Sequence, residues 1–269
     1  MDNARFEDQL AAGCRALGVT VAADLGPRLQ RLMSELLKWN AKVNLTAITA
    51  PEEVLEKHFL DSLAVLPEVT GAATLLDLGA GAGFPGLPLK LALPALGVTL
   101  VDTVGKKVAF IKAAAASLGM QGVRGLHARA EGQPETEGIP RAEVLIARAF
   151  MDLPDWLALA PAYVEPGGRV VAMLGKAQTD AELAARAAER QLRVVSARAY
   201  RLPFSGAERR WRCSPRSRGG ACRRARRPVG DSGRCDTAVF LPGNARRCRV
   251  TSAARIPPGG EGGASQGPR

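Results

Sequence analysis

The sequence predicts an α/β protein, a mostly parallel sheet behind an N-terminal helical extension. Three observations predict it. Apolar residues recur at helical spacing through the first 66 positions. From residue 73 onward, short apolar runs alternate with helical stretches. The first of those runs ends in an acid followed by glycines in GxGxG spacing, a turn at which open sheets bind ligands along their carboxyl edge.

Each element has its own warrant. Phe6, Leu10, Cys14 and Leu17 recur at spacings of four, four and three, and Leu25, Leu29, Leu32 and Leu36 repeat in the same manner. Both stretches read as amphipathic helices. Thr49-Ala50-Pro51-Glu52-Glu53 reads as a third helix start, with proline and acids in the first turn, running to about Leu66 before Pro67. Strands are expected at 73–78, 97–102, 122–128, 142–147, 168–174 and 192–200. Helices are expected between them at 86–93, 105–118, 153–164 and 178–190, which is the alternation that builds a parallel sheet. There is no internal repeat. The organisation expected is a helical extension over 1–66, a sheet domain over 67–210 and a tail over 211–269.

Composition bounds the function. The chain has 269 residues, 46% of them hydrophobic, enough for a sizeable core. No run approaches the ~18 apolar residues of a membrane span. The opening MDNARFEDQL is charged and lacks the apolar centre of a signal peptide, so a cytoplasmic protein with no membrane partner is expected. The net charge of +11 suggests nucleic acid, but residues 1–210 carry 24 basic and 23 acidic side chains, whereas 211–269 carry 13 Arg, no Lys and 3 acids. Contact with RNA by the body would therefore need local clustering among Lys38, Lys42, Lys106, Lys107, Arg124, Arg148 and Arg201. Cys14 is the only cysteine before residue 211, and the four in the tail contain no CxxC pair and no neighbouring histidine, so no metal is expected.

The tail differs from everything before it. Arg, Gly and Pro make up 29 of its 59 residues, with no sustained period, so it reads as disordered. Arginine without lysine, together with Gly, Pro, Ala and Cys, is also what out-of-frame reading of GC-rich DNA would give. A frameshift near residues 209–213 is the sharper expectation.

The strongest chemical signal is Leu75-Leu76-Asp77-Leu78-Gly79-Ala80-Gly81-Ala82-Gly83-Phe84-Pro85-Gly86. Glycine lets a ligand lie against bare backbone. Twenty-five residues after Asp77 comes Asp102, closing the second strand run, where a carboxylate can accept both ribose hydroxyls of an adenosine. Two cofactors suit that geometry. A nicotinamide dinucleotide favours GxGxxG, which would need glycine where Phe84 stands. The acid two residues before the first glycine suits S-adenosylmethionine better, and Asp77 could organise the loop near its amino-acid end.

At this point the residues resemble a family, the glucose-inhibited division protein B family of bacterial 16S ribosomal RNA guanine-N7 methyltransferases. Leu37-Lys38-Trp39-Asn40 with Asn44-Leu45-Thr46 resembles its WN…NLT signature, and Lys57-His58-Phe59-Leu60-Asp61-Ser62 its (K/R)H-x-x-DS. Asp77 to Leu89 resembles its cofactor loop, Asp102 to Phe110 its D-S-x-x-K-(R/K)-x-x-F-L, and Ala147-Arg148-Ala149-Phe150 its (S/A)-R-A-F. The matches span about residues 6–210. Two departures stand out. Lys176 follows Gly175 where the family has lysine before glycine, and the apolar strand expected after Arg210 is replaced by Trp211-Arg212-Cys213-Ser214-Pro215. Pro215 and the alternating charges make a poor central strand, so a sheet lacking its last strand and an unstable product are expected.

The resemblance implies a Rossmann-like methyltransferase fold and site roles. The cofactor would lie against Gly79, Gly81, Gly83, Phe84, Asp102, Ala130, Glu131 and Arg148. Arg148 would also meet the substrate, at guanine O6 or a phosphate, and Lys106 and Lys107 would touch RNA phosphate. For Glu131 a solvated turn acid remains open, for Arg148 a surface salt bridge, and for the lysine pair a solvated face. His58 reads as a packed histidine with Asp61 nearby, Trp39 and Asn44 as packing and turn residues, and His127 as structural. No catalytic base is assigned, since guanine N7 carries a lone pair and no proton. The activity implied is rRNA methylation, a step of rRNA processing, by a monomer whose partner is 16S rRNA or the small subunit. Alternatives are a methyltransferase of this fold with a non-RNA substrate, a remnant that only binds cofactor, and more remotely a nicotinamide-dependent dehydrogenase.

Overall fold

The computed structural model describes residues 1–148, 151–174 and 196–215. The expected helix at 178–190, residues 192–195 of the sixth strand, Lys176 and the chain from 216 onward lie outside the described residues. The described residues fall within one compact unit.

Helix α1 (Asn3–Leu17) starts where the Asp2 carboxylate accepts the Arg5 N–H and stops at Gly18, φ 64°. It buries the stripe that its periodicity predicts, Phe6, Leu10, Cys14 and Leu17. Helix α2 (Leu25–Val43) buries Leu25, Leu29, Leu32 and Leu36 and ends on Asn44 at φ 47°, the turn role read from the sequence. Pro51 opens the third helix, but it is not one uniform element. Helix α3 (Pro51–Val54) widens into a π-helical stretch, Leu55–Leu60, and tightens again as α4 (Asp61–Leu63). Such local widening occurs often at functional sites. A short α5 (Leu66–Val69) follows, so helical structure runs past the expected boundary at 66.

The sheet is assembled from β1 (Thr74–Leu78), β2 (Gly97–Asp102), β3 (Val123–His127), β4 (Ala142–Arg148), β5 (Val164–Leu174), β6 (Ser196–Arg201) and β7 (Glu208–Pro215). Its order is β3-β2-β1-β4-β5-β7-β6. Strands β1 to β5 run parallel and β7 runs antiparallel to both neighbours. The crossovers carry α6 (Gly86–Ala92), α7 (Gly105–Ser117), α8 (Pro134–Glu137) and α9 (Leu153–Leu159). The last ends in a 3-10 turn, Ala160–Ala162, so the helix expected over 153–164 is shorter and β5 begins earlier than expected. β1 lies between β2 and β4, the switch point of the sheet.

One expectation is corrected outright. The last strand is present: Cys213 faces Val171 of β5 and Ser196 of β6, and Trp211 faces Met173 and Arg198. The sequence reading demanded an apolar run, but ladder hydrogen bonds come from the backbone, and alternation needs only every second residue on a given face. Trp211 and Cys213 supply the buried positions. Pro215 stands at the final position, where its missing N–H interrupts nothing further along the strand.

The helical extension packs into the same core as the sheet. Phe6, Leu29 and Leu36 share one continuous apolar cluster with Leu75, Val98, Phe110 and Trp211. Trp39 meets Phe110 of α7 edge-on at 5.9 Å, fixing the extension to the sheet as expected. The other face packs Leu76, Leu78, Leu145, Trp156 and Tyr163. Successive leucines of β1 thus serve opposite faces, leaving the carboxyl edge for chemistry.

Candidate active site

The turn after β1 hangs from the end of β2. The Gly79 and Ala80 N–H groups donate to the Val101 carbonyl at 2.9 and 3.0 Å. The Gly81 N–H donates to Asp102 Oδ2 at 2.8 Å, and Asp102 Oδ1 accepts the Val104 N–H at 2.8 Å. The acid predicted to face the cofactor therefore first holds the loop, with a further lone pair left on each oxygen. Gly81 sits at φ 59°, and the space a Cβ would enter is open.

Asp77 lies beneath the loop, fully buried. Its Oδ2 accepts the N–H of Gly86 at 2.9 Å, where α6 begins. Its Oδ1 has no hydrogen-bond partner among the described residues. A Cβ on Gly86 would stand 2.9 Å from that carboxylate and 2.7 Å from Leu100, so only glycine permits this approach. Burial pushes the Asp77 carboxyl up to about 7, against the opposing pull of the Gly86 bond and Arg148.

Two cavities meet at Gly79. One, about 380 Å³, runs between β2 and the segment after β3, walled by Leu78, Val101, Asp102, Lys107, Ala128 and Ala130. The other, about 420 Å³, opens toward the helical extension and is walled by His58, Asp61, Phe84, Arg148, Tyr200 and Arg209 among others. An elongated ligand with a carboxylate-binding sugar and a flat apolar end fits the first. Bare loop backbone at Gly79 and Gly81 carries it toward the second. The residues therefore suit an adenosyl group with an amino-acid tail.

The second cavity is built on Arg148. Its Nη1 donates to the Lys57 carbonyl at 2.9 Å and pairs with Asp61 Oδ2 at 3.2 Å; its Nη2 lies 3.3 Å from His58 Nδ1. Its guanidinium carbon is 5.8 Å from the Phe84 ring centre. Asp61 Oδ1 accepts the Tyr200 hydroxyl at 2.8 Å and has Arg209 Nε at 3.7 Å. One buried carboxylate thus orders two arginines and a phenol at the cavity wall. Burial, and then the adjacent Asp61 carboxylate, push the Tyr200 hydroxyl upward.

His58 stacks flat on Phe84, centroids 4.3 Å apart at 3°. Its Nε2 lies 3.1 Å from Thr46 Oγ1. Burial, and then the charge of Arg148, lower its pKa to about 3. The ring is therefore neutral, and with Arg148 donating to Nδ1 the proton sits on Nε2. The WN…NLT segment serves this same point. Asn40 Oδ1 accepts the Leu45 and Thr46 N–H groups at 2.6 and 2.9 Å, fixing the turn that presents Thr46.

The predicted site residues separate on inspection. Gly79, Gly81, Phe84, Asp102, Ala130, Lys107 and Arg148 line the two cavities. Gly83 does not: a Cβ there would strike Leu87 at 2.4 Å, so it packs the core. The Glu131 side chain is exposed beside Arg129 and lines neither cavity, and Lys106 is exposed outside both. Lys38, Lys42, Arg124 and Arg201 also lie outside the cavity walls, Arg201 pairing with Glu208 at 2.9 Å. His127 holds the Thr103 carbonyl at 2.9 Å, a structural role as expected. Sequence reasoning missed Tyr200 and Arg209, which reach the site only because β6 and β7 return beside β5. Nothing local marks them.

Known proteins agree with this geometry. The family profile described as GidB, rRNA small subunit methyltransferase G, matches residues 26–211. Ribosomal RNA small subunit methyltransferase G of Myxococcus xanthus (strain DK1622) is 99% identical over 209 residues, covering 78% of this chain and 96% of that protein. The protein of that name from Anaeromyxobacter dehalogenans (strain 2CP-C) is 49% identical over 212 residues, covering 78% and 98%. Among solved structures, the [4+2]-cyclase SpnF shares the fold with TM-score 0.50 at 14% identity, covering 71% of this chain and 94% of that one. The profile match over residues 26–211 and the 99% identical relative place the chain in the rRNA small subunit methyltransferase G family.

Proposed function

We propose that this protein transfers the methyl group of S-adenosylmethionine to N7 of a guanine in 16S ribosomal RNA of the small subunit. The observation that carries the reading is the meeting of the two cavities at Gly79, which sets a donor site lined by Asp102 end to end with an arginine-lined acceptor site. The bound sulfonium supplies an electrophilic methyl. The chain's task is alignment and water exclusion. Asp102 accepts the ribose hydroxyls while its backbone bonds hold the loop still. Ala130 and the backbone at Glu131 flank the adenine. Gly79 and Gly81 let the amino-acid tail approach, and Phe84 closes the methyl site against the His58 ring.

On the acceptor side, Lys57, His58 and Asp61 occupy three of the five N–H donors of Arg148. The remaining ones suit guanine O6 or a phosphate. N7 attacks through its own lone pair, so no side chain removes a proton. Neutral His58 agrees with that demand. Lys107, which walls the donor cavity, and exposed Lys106 beside it meet RNA phosphate. A small-subunit RNA substrate places its work in the cytoplasm, and we read it as a monomer. Among the described residues no helix is long and apolar enough to cross a membrane.

Tritiated methyl transfer to small subunits, followed by mapping of N7-methylguanine in 16S rRNA with and without the gene, tests the reading. Label in another RNA or in protein would overturn it. The tail is read as a frameshift product: the family match stops at residue 211, where the composition changes. Resequencing the locus tests this, and an intact frame would refute it.

A further inference from the structure

Among the described residues two large apolar side chains are exposed, Met151 and Phe204, and Met151 lines the donor cavity. Phe204 is left without an assignment. It stands at the tip of the β6–β7 hairpin, 49% exposed. Its backbone is nevertheless fixed. Buried Glu56 accepts the N–H groups of both Phe204 and Ser205 on Oε1, each at 2.7 Å. The Leu202 N–H donates to the Ala207 carbonyl at 2.9 Å, and the Gly206 N–H to the Leu202 carbonyl at 3.0 Å.

The hairpin that carries this tip also walls the acceptor cavity. Tyr200 and Arg209, opposite one another in the hairpin, both line that cavity, as does Lys57 next to Glu56. Phe204 is four residues beyond Tyr200, so its Cα lies within about 14 Å of that wall residue. The hairpin is basic: residues 196–215 carry five arginines and a single acid, Glu208. An exposed aromatic on a rigid basic turn is the combination that holds an unpaired nucleotide, by stacking on the ring and pairing along the backbone.

We infer that Phe204 stacks on an unpaired base next to the target guanine and so sets the affinity for the RNA substrate. The inference rests on the functional reading above and deepens it. Glu56 acts as the positioning residue. Because the loop is already ordered, little freedom is lost on stacking.

The experiment is methyl transfer to small ribosomal subunits by the full chain. Phe204→Ala is expected to raise the KM for subunits about tenfold, the scale of one lost base stack. Phe204→Trp is expected to keep the wild-type KM, and its added indole to be quenched by an rRNA fragment containing the target. The Kd for S-adenosylmethionine stays the same in all three. An unchanged KM in Phe204→Ala, or a Phe204→Trp variant as impaired as the alanine, overturns the inference while leaving the functional reading intact. A wild-type chain that methylates no subunit RNA overturns both.

Discussion

At the residue scale, burial shifts both Asp77 and His58 toward their neutral forms, with opposite consequences for the pH dependence of stability. Asp77 titrates at about 7 in the fold against 3.8 as its ordinary value. Between those values the native state holds more protons than the unfolded one, so its contribution to stability is full below 3.8 and is lost as pH rises through 7. His58 is lowered to about 3 from 6.5. Its contribution is full above 6.5 and is lost as pH falls toward 3. The two trends oppose one another between pH 4 and 6.5 and mute the pH dependence of the wild type. Asp77→Asn is expected to be more stable than wild type at pH 8, by on the order of 4 kcal/mol at most, and less distinct at pH 5. Denaturant unfolding across that range checks it. His58→Phe, which keeps a ring on Phe84, is expected to remove the acid-side loss in the same measurement. Arg148 serves a carbonyl, a carboxylate and an imidazole at once. Lysine cannot, and Arg148→Lys is expected to lower kcat/KM by ~100-fold, about 3 kcal/mol, with cofactor affinity changed far less. Single-turnover assays and calorimetry separate the two.

At the element scale, the Pro51–Leu63 helix shows why a short motif has to be read in three dimensions. Its π-helical stretch carries Glu56 and His58, and Asp61 follows it directly. One binds the hairpin tip, one stacks on the cofactor loop, and one orders both arginines. Strand β7 completes the arrangement by bringing Arg209 beside Asp61. Its anchor is Trp211, 4% exposed. Trp211→Ala is expected to destabilise by about 3–5 kcal/mol, the cost of emptying a large core site, read from the shift in denaturation midpoint. A cost near zero would show that the strand is not held by its side chains.

At the scale of the whole molecule, the apolar cluster that joins α1 and α2 to β1, β2 and α7 makes the helical extension part of the same fold. One cooperative transition is expected. Trp39 reports on the extension and Trp211 on the far end of the sheet. Chains retaining only one or the other are expected to show a common unfolding transition for fluorescence and circular dichroism. Two separate transitions would show independent bodies. Since residues 1–210 are nearly neutral, attraction to RNA has to come from local clusters, and the reading proposed above assigns it to the arginines of the β6–β7 hairpin and of the acceptor cavity.

The sequence by itself determined the parallel strands, the glycine turn that follows the first of them and Asp77 beneath that turn. Each of these is written in consecutive residues, where period and spacing are direct consequences of backbone geometry. It also gave Trp39 and Asn44 their packing and turn roles, and placed His58 beside Asp61. Only the tertiary structure decided which glycines face the cavity and which face the core, since Gly81 and Gly83 are alike in sequence and differ in what surrounds them. It also decided that Arg148, Asp61, Tyr200 and Arg209 form one network, because those residues lie up to 148 positions apart and meet through strand order. The survival of β7 belongs there too: a strand laid between two others is held by backbone pairing and two buried side chains, which a scan for apolar runs does not register.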